Sequence, residues 1–370
     1  MGEGVMDADD LMKEIKISLN KVIDTDLGKS LEELSAIKNI FIDGNIIEIT
    51  LELVQPIQRA AEKLNQECAK ILNQIAPDFV HEISFTEKYM DYENRELLKN
   101  VKNIIAVASG KGGVGKSAIA ANIAAALSLT GARTGLLDGD IYGPSQPTMF
   151  GLKDEPLQAE ELPNGKTIAY PNEKYGIKVA SMGFIMNRDE AAIIRGPMLA
   201  GYFSMLFEQM DWGTLDYLIF DLPPGTGDIQ LTLTQKIPLT GAVIVTTPQE
   251  IAVADVRRSI AMFKRVDVDI LGIIENMSYF SPPDVPDKKY YIFGKGGGKS
   301  AAEEYDIPFL GEVPLDIRMR EADDGGMPVV LDNSSQFQAY ILKQITDNLI
   351  KQIRIHNYKM LETVELDISI

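Results

Sequence analysis

Eight consecutive residues, Gly110-Lys111-Gly112-Gly113-Val114-Gly115-Lys116-Ser117, satisfy the pattern G-x-x-x-x-G-K-[ST]. Each residue type in it has a separate job. Glycines let successive backbone N–H groups converge on phosphate oxygens, and a helix starting directly after them adds a favourable dipole. Lys116 has the reach and charge for β- and γ-phosphates, and the Ser117 hydroxyl suits Mg2+ as a hard oxygen ligand. Two acidic strings have matching chemistry: Leu136-Leu137-Asp138-Gly139-Asp140, and the run Tyr217-Leu218-Ile219-Phe220-Asp221 followed by Leu222-Pro223-Pro224-Gly225-Thr226-Gly227-Asp228. An aspartate ending an apolar run beside a phosphate loop is placed to hold Mg2+, usually through water, and a glycine just after it can sense the γ-phosphate. No Asn-Lys-x-Asp guanine signature occurs, so ATP is the expected nucleotide. The Asn276 amide can serve the N6/N7 edge of adenine, or simply form a turn.

These residues need a scaffold that brings them to one place. Short apolar runs at Asn103 to Ala108, Arg133 to Leu137, Tyr217 to Phe220, Ala242 to Thr246, Ile270 to Ile274 and Phe309 to Val313 read as strands, with helical stretches between them. Near-continuous apolar strands separated by helices predict a mostly parallel sheet covered on both faces, hence an α/β nucleotide-binding domain over 103–355. The stretch from Tyr142 to Lys178, rich in Pro, Gly, Asn and charge, reads as an insertion or long loop. Upstream, a small α+β domain is expected over 1–88. Its signals are alternation from Ile46 to Val54, a turn at Asp43-Gly44-Asn45 back to Ile37 to Ile42, and a helix from Pro56 with the stripe Ile57, Ala60, Ala61, Leu64, Cys68, Ile71, Leu72 and Ile75. A polar connector spans 89–102. A last helix from about Gln336 to Ile355 leaves a tail at 356–370.

Composition narrows the function classes. The 370 residues carry 54 acidic and 36 basic side chains, a net charge of −18, which disfavours phosphate backbones and anionic lipid surfaces as partners. No apolar run reaches the roughly 18 residues of a membrane span, and the acidic start has no signal-peptide character, so a cytoplasmic protein that binds neither nucleic acid nor membrane is expected. The single cysteine, Cys68, lies on the apolar helix stripe and reads as a buried, inert thiol. His81 and His356 are too few and too distant for a metal site. The glycine run Gly294 to Ser300 ends in Gly-Lys-Ser, but Phe293 stands where a first loop glycine is needed, so it reads as a flexible turn. Asp323-Asp324, ahead of Gly325-Gly326, reads as a solvated turn.

The lysine Lys111 inside the loop gives the "deviant" Walker pattern K-G-G-x-G-K-[ST]. Together with Asp138-Gly139-Asp140-Ile141-Tyr142-Gly143-Pro144-Ser145, the Asp221 string and Glu275-Asn276-Met277-Ser278, it makes the chain from about Lys99 to Ile355 resemble the Mrp/ApbC family of iron–sulfur cluster carrier ATPases. Residues from about Leu11 to Lys88 resemble the small iron–sulfur assembly-associated domain that many bacterial members carry. The resemblance implies a dimeric P-loop NTPase that hydrolyses ATP slowly with Mg2+ and works on iron–sulfur apoproteins or assembly factors. It implies that Lys111 reaches the phosphates bound by the partner in a homodimer, that Asp140 orients the attacking water, and that Asp138 is a supporting acid near Mg2+. It further implies that Asp221 is the Walker B aspartate and Asn276 the adenine contact. Arg195-Gly196-Pro197 resembles a family loop near the dimer face.

One departure stands out. Family members place a C-x-x-C pair shortly after the Asn-Met-Ser segment, and two subunits supply four thiolates. Here Tyr279 to Asp287 contains no sulfur, and Gln55-Pro56-Ile57-Gln58 lacks the cysteine that many relatives have at that turn. Cluster ligation by the usual pair is excluded by composition, and carboxylate ligation by Asp284 and Asp287 suits a soft iron–sulfide centre poorly. Two expectations follow: ATP-dependent assistance of iron–sulfur cluster assembly or transfer, or an ATP-switched dimeric scaffold or positioning ATPase that holds no cluster. A non-hydrolysing binding module is disfavoured because Lys111, Asp140 and Asp221 are all present.

Overall fold

The computed structural model describes residues 7–89, 95–140, 143–153, 155–185, 205–282, 284–285, 287–333 and 336–368. Residues 90–94 of the 89–102 connector, residues 141–142 of the Asp138 to Ser145 string and the Arg195 loop lie outside them. The chain divides into two compact units, Met1–Asp91 with Ile350–Ile370, and Tyr92–Leu349.

In the first unit, α1 (Ala8–Asn20) precedes a short antiparallel pair, β1 (Ile23–Asp24) and β2 (Lys29–Ser30). Then β3 (Ile37–Asp43) pairs antiparallel with β4 (Ile46–Val54), α2 (Gln58–Ile75) crosses over, and β5 (Val80–Lys88) returns parallel to β4. The alternation read in β4 is the alternation of the fold: Ile47, Ile49, Leu51 and Leu53 are buried, against Ala60, Leu64, Cys68 and Leu72 of α2 and Leu11, Ile15 and Leu19 of α1.

The second unit is built on an eight-stranded sheet. In chain order its parts are β6 (Val101–Ala108), α3 (Lys116–Ser128), β7 (Thr134–Asp138), α4 (Gln146–Met149), a separate hairpin β8 (Gln158–Glu161) and β9 (Thr167–Tyr170), then β10 (Asn172–Lys174) and β11 (Ile177–Ser181). There follow β12 (Leu215–Asp221), α5 (Asp228–Lys236), β13 (Gly241–Thr246), α6 (Glu250–Arg265), β14 (Ile270–Phe280), α7 (Gly297–Glu304), β15 (Phe309–Leu315), α8 (Ile317–Gly325) and α9 (Gln336–Ile368). The strand order is β10-β11-β7-β12-β6-β13-β14-β15, parallel throughout except for the edge strand β10. Every residue of β7, β12 and β13 is buried, which is why these strands read as continuous apolar runs.

Three sequence expectations are corrected. The Tyr142 to Lys178 insertion is not a loop: it holds α4 and three strands, and β11 at its end enters the sheet beside β7 with Ser181 in register with Asp138. The helix expected to stop near Ile355 runs to Ile368, so 356–368 is helix rather than tail. Up to Leu349 this helix belongs to the second unit, where Leu342, Ile345 and Leu349 are buried; from Ile350 on it belongs to the first, where Arg354 is fully buried among acids. The Asp323-Asp324 pair lies in the last turn of α8, which Gly326 closes in the left-handed conformation at φ +79°.

At the start of β12, Asp216 accepts from the Arg133 backbone N–H (2.9 Å) and guanidinium (2.9 and 3.0 Å) and from Lys102 Nζ (2.9 Å). Burial by itself raises its pKa, yet the Arg133 and Lys102 bonds outweigh that and hold it at about 2. Because the folded value lies below the unfolded one, the carboxylate stabilises the fold above the unfolded pKa, and this contribution is lost as the pH falls toward the folded one. Asp216→Asn is expected to destabilise the unit by about 2 kcal/mol near neutrality, with the gap to the parent narrowing between about pH 5 and 3. Urea unfolding across that range measures it, and a gap independent of pH would refute the assignment.

Candidate functional site

The sheet delivers its chemistry at the C-terminal ends of its parallel strands, as open α/β sheets do. From the end of β6 the chain turns through Ser109 and the glycine loop into α3. Gly115 stands at φ +80°, and a Cβ there would lie 2.3 Å from Asn276 Nδ2. Gly110 is required for another reason: its Cβ would collide with the backbone and side chain of Asp255 on α6. Asn276, within β14, is buried and donates its amide to Val114 O at 2.8 Å, so it braces the loop.

Lys116, 6% exposed, is ion-paired with Asp221 at the end of β12 and lies 3.3 Å from Ser117 Oγ. The other Asp221 oxygen accepts from Gln146 Nε2 (3.0 Å), whose amide also donates to Ser117 O (3.0 Å). Asp138 is fully buried and accepts from four groups: the N–H of Asp140, Ser145 and Gln146 at 3.0 to 3.1 Å, and Ser181 Oγ at 3.0 Å. Burial, then the neighbouring Asp221, push its carboxyl up to about 7 against the pull of Gln146 N–H, Lys116 and Ser181. The geometry thus gives Asp138 the job of shaping the loop from 140 to 146. Asp140 itself faces the cavity, with one oxygen accepting from Gly143 N–H at 3.2 Å. Lys111 Nζ lies 3.5 Å from Gln249 Oε1, which also accepts from Thr247 Oγ1 at 2.6 Å.

A cavity of about 480 Å³ is lined by Lys111, Gly112, Gly113, Gly115, Lys116, Ser117 and Asp140. Asn276, Met277, Pro314, Leu315, Met319 and the acids Asp316, Asp323 and Asp324 line it as well. The residues singled out for nucleotide chemistry therefore line one cavity, except Gly110, Val114, Asp138 and Asp221, which do not reach its surface. Sequence reading missed Gln146, Ser145 and the α8 wall. The strand-end rule alone points to Pro314 and Leu315, whereas no local pattern marks Gln146.

The second glycine run is not a phosphate site. Gly298 N–H donates to the Glu275 carboxylate at 2.6 Å, so the start of α7 already holds an anion of the chain itself. A Cβ on Gly297 would stand 2.3 Å from Pro248 O, so close packing accounts for that glycine, and the run is a helix start rather than a flexible turn.

Around Tyr279, in the segment that lacks the family's cysteine pair, Lys289 Nζ sits 3.8 Å over the Tyr279 ring and Phe280 bridges to Tyr290. Among the described residues no group of three His, Cys, Asp or Glu is placed to hold a metal ion. Cys68 is wholly buried, and burial followed by Glu67 pushes its thiol up to about 12, which is the inert thiol expected from its stripe. His81 engages Ala76 O at 3.0 Å. Among the described residues no helix is long and apolar enough to cross a membrane.

Comparison with known proteins agrees with this geometry. Residues 100–350 match the family described as NUBPL iron-transfer P-loop NTPase, and residues 13–85 match that described as iron-sulfur cluster assembly protein. An iron-sulfur cluster carrier protein of Synechocystis sp. is 45% identical over 338 residues, 90% of this chain and 96% of its own. The iron-sulfur cluster carrier protein of Escherichia coli K12 is 43% identical over 312 residues, 82% of each. Among solved structures, a nucleotide-binding protein from Archaeoglobus fulgidus in complex with ADP is 37% identical, with a TM-score of 0.55 over 65% of this chain and 93% of that one. The chain belongs to the family of NUBPL-type iron-transfer P-loop NTPases.

Proposed function

We propose that this protein hydrolyses ATP as a homodimer and uses the cycle to assist iron–sulfur cluster assembly or transfer to apoproteins, without a cysteine pair of its own to carry the cluster. The observation that carries the reading is the convergence of Lys116, Ser117 and Asp140 on one cavity, backed by Asp221, in a chain whose relatives over nearly its full length are named as cluster carriers. Lys116 binds the β- and γ-phosphates after exchanging Asp221 for them. Asp140 orients a water for attack on the γ-phosphorus; the bond to the β,γ-bridging oxygen breaks, and ADP and phosphate leave. Lys111, held by Gln249 in the single chain, is assigned to the partner's phosphates.

Mg2+ fits the residues present. Ser117 and Asp140 line the cavity, and the Ser145 hydroxyl beside them is buried without a hydrogen-bond partner, so hard oxygens converge there. Bound there by Ser117, with Asp221 acting through water, the ion would offset phosphate charge. The assigned setting is the cytoplasm, in keeping with the strong net negative charge. The scaffold reading gains nothing from α9, whose apolar residues Leu342, Ile345, Leu349 and Ile353 are buried in the fold rather than offered to a surface.

Two measurements on one preparation test this. Phosphate release should be slow and should require Mg2+. Anaerobic reconstitution should leave far less than one cluster per dimer by iron and sulfide counting, unchanged by Cys68→Ser. Absence of ATP turnover in the presence of an apoprotein acceptor would remove the catalytic half of the proposal. A stoichiometric cluster, whether abolished by Cys68→Ser or by changing Asp284 and Asp287, would overturn the statement that the chain carries none.

A further inference from the structure

Two of the residues assigned to Mg2+ are tied together by one uncharged side chain. The Gln146 amide nitrogen donates to Asp221 Oδ2 at 3.0 Å and to Ser117 O at 3.0 Å. A primary amide carries two N–H donors, so both bonds form at once and join the end of β12 to the first turn of α3. Gln146 is itself held. It is 0% exposed, and its backbone N–H (3.1 Å) and that of Ser145 (3.0 Å) donate to one oxygen of the buried Asp138. Pro147 beside it is buried too, and a Cβ on Gly183 would stand 3.1 Å from its ring.

The two oxygens of Asp221 face donors of different kinds. Oδ1 is paired with Lys116, whose ammonium also lies 3.3 Å from Ser117 Oγ, so one cation already stands against both oxygens that would serve a metal ion. Lys116 lines the cavity and Asp221 does not, so the ammonium covers Oδ1 from the cavity side. Once Lys116 turns to the β- and γ-phosphates, Oδ1 is uncovered and has lost its partner. The bond from Gln146 survives that exchange, because a neutral amide donor is not drawn away by phosphate as an ammonium is. Rotation of a carboxylate about its last torsion is broad and roughly two-fold, so an untethered Asp221 would follow the lysine or turn away from Ser117.

We propose that Gln146 is a positioning residue for Mg2+: it holds Asp221 by Oδ2, so that Oδ1, released by Lys116, stays beside Ser117 to accept from a water of the ion. Outer hydrogen bonds of this kind set metal affinity by orienting the carboxylate rather than by touching the metal. The assignment rests on the Mg-dependent nucleotide reading of the same cavity, and it adds the residue that keeps the acid in place while the lysine changes partner.

The test measures ADP binding to the full chain by calorimetry, once in Mg2+ and once in EDTA, for the parent, Gln146→Leu and Gln146→Met. Both replacements approximate the size of the glutamine and lack its donors. In the parent, Mg2+ should tighten ADP. In either variant that gain should shrink roughly tenfold or more, as loss of an outer partner of a metal ligand does, while affinity in EDTA is unchanged. Asp221→Asn should lose the gain by itself, and adding Gln146→Leu to it should cost less than about twofold more, because the two residues act through one bond. An undiminished gain in a folded Gln146 variant, or an additive loss in the Asp221→Asn background, would overturn the proposal. A loss of the same size in EDTA would make the bridge a brace of the phosphate loop alone and overturn it as well. So would failure of both variants to fold, read by thermal melting, since the bridge would then serve stability. A parent whose ADP affinity ignores Mg2+ would reject the metal reading itself, which separates the two failures.

Discussion

Arg354→Ala is expected to lower the stability of the first compact unit by about 3–5 kcal/mol, enough to unfold a marginally stable small domain. Arg354 is 0% exposed and bonds Asp24 at 2.7 and 3.0 Å, Asp26 at 3.2 Å and Val54 O at 3.1 Å. Truncation strands both acids in the core. Asp24 would keep only the N–H groups of Asp26 and Leu27 at 3.0 and 3.3 Å, and Asp26 would keep Lys63 at 3.7 Å. Breaking one side of a buried ion pair is costly because the charges left behind have lost their water. Asn357, one helical turn on, donates to Gln55 O at 3.1 Å, so the same stretch of α9 closes the end of β4. Hydrogen exchange on the full chain separates the units: amides of β4, β5 and α2 should exchange far faster in the variant, while those of β6, β12 and β13 should not. A loss under about 1 kcal/mol in the first unit would mean that these acids find other partners and that the helix end is dispensable.

How much of this was legible in the sequence depended on how local the cause was. The four isoleucines and leucines of β4 sit two apart, one face of a strand is buried, and the pattern gave its bounds as found. The buried central strands were equally plain. By contrast β11 is only five residues, Ile177–Ser181, inside a stretch dominated by turn formers, and it is a strand because β7 lies beside it. β5 was missed because its residues alternate between exposed and half-buried, with Ile83 and Phe85 the only large apolar side chains on the inward face. The helix over 356–368 reads as part of a tail because Ile355-His356-Asn357-Tyr358 has no apolar period. What extends it is the docking of Arg354 and Asn357 onto residues about 300 positions earlier. The phosphate-binding side of the site followed from types and spacing; the Gln146 bridge did not. Gln146 joins Ser117 to Asp221, residues 29 and 75 positions away from it, so that signal does not exist in a local window.

Lys116→Ala is expected to weaken ATP binding by at least 100-fold. Burial, then the neighbouring Asp221, push the Asp138 carboxyl up to about 7, and Lys116 is the cation paired with the buried Asp221 behind the phosphate loop. Without it a triphosphate must approach two acids with one fewer opposing charge, and charge-assisted contacts to phosphate are the strong ones. Because the substitution also leaves Asp221 unpaired, Lys116→Ala combined with Asp221→Asn serves as the control. It restores folding, checked by thermal melting, and should still fail to bind. Asp140→Ala, by contrast, removes a group whose assigned work begins after binding, so affinity should stay within a few-fold and turnover should fall about 100-fold or more. Lys111→Ala separates the two lysines. Gln249 holds Lys111 on the α6 side of the loop, so the variant should bind ATP normally and lose ATP-dependent association or turnover. Mixing it with Asp140→Ala should give rates that depart from the sum of the two if the lysine works across the dimer. Retention of ATP affinity within tenfold by both folded Lys116 variants would show that the loop backbone carries the phosphate contact, and would move the binding charge elsewhere.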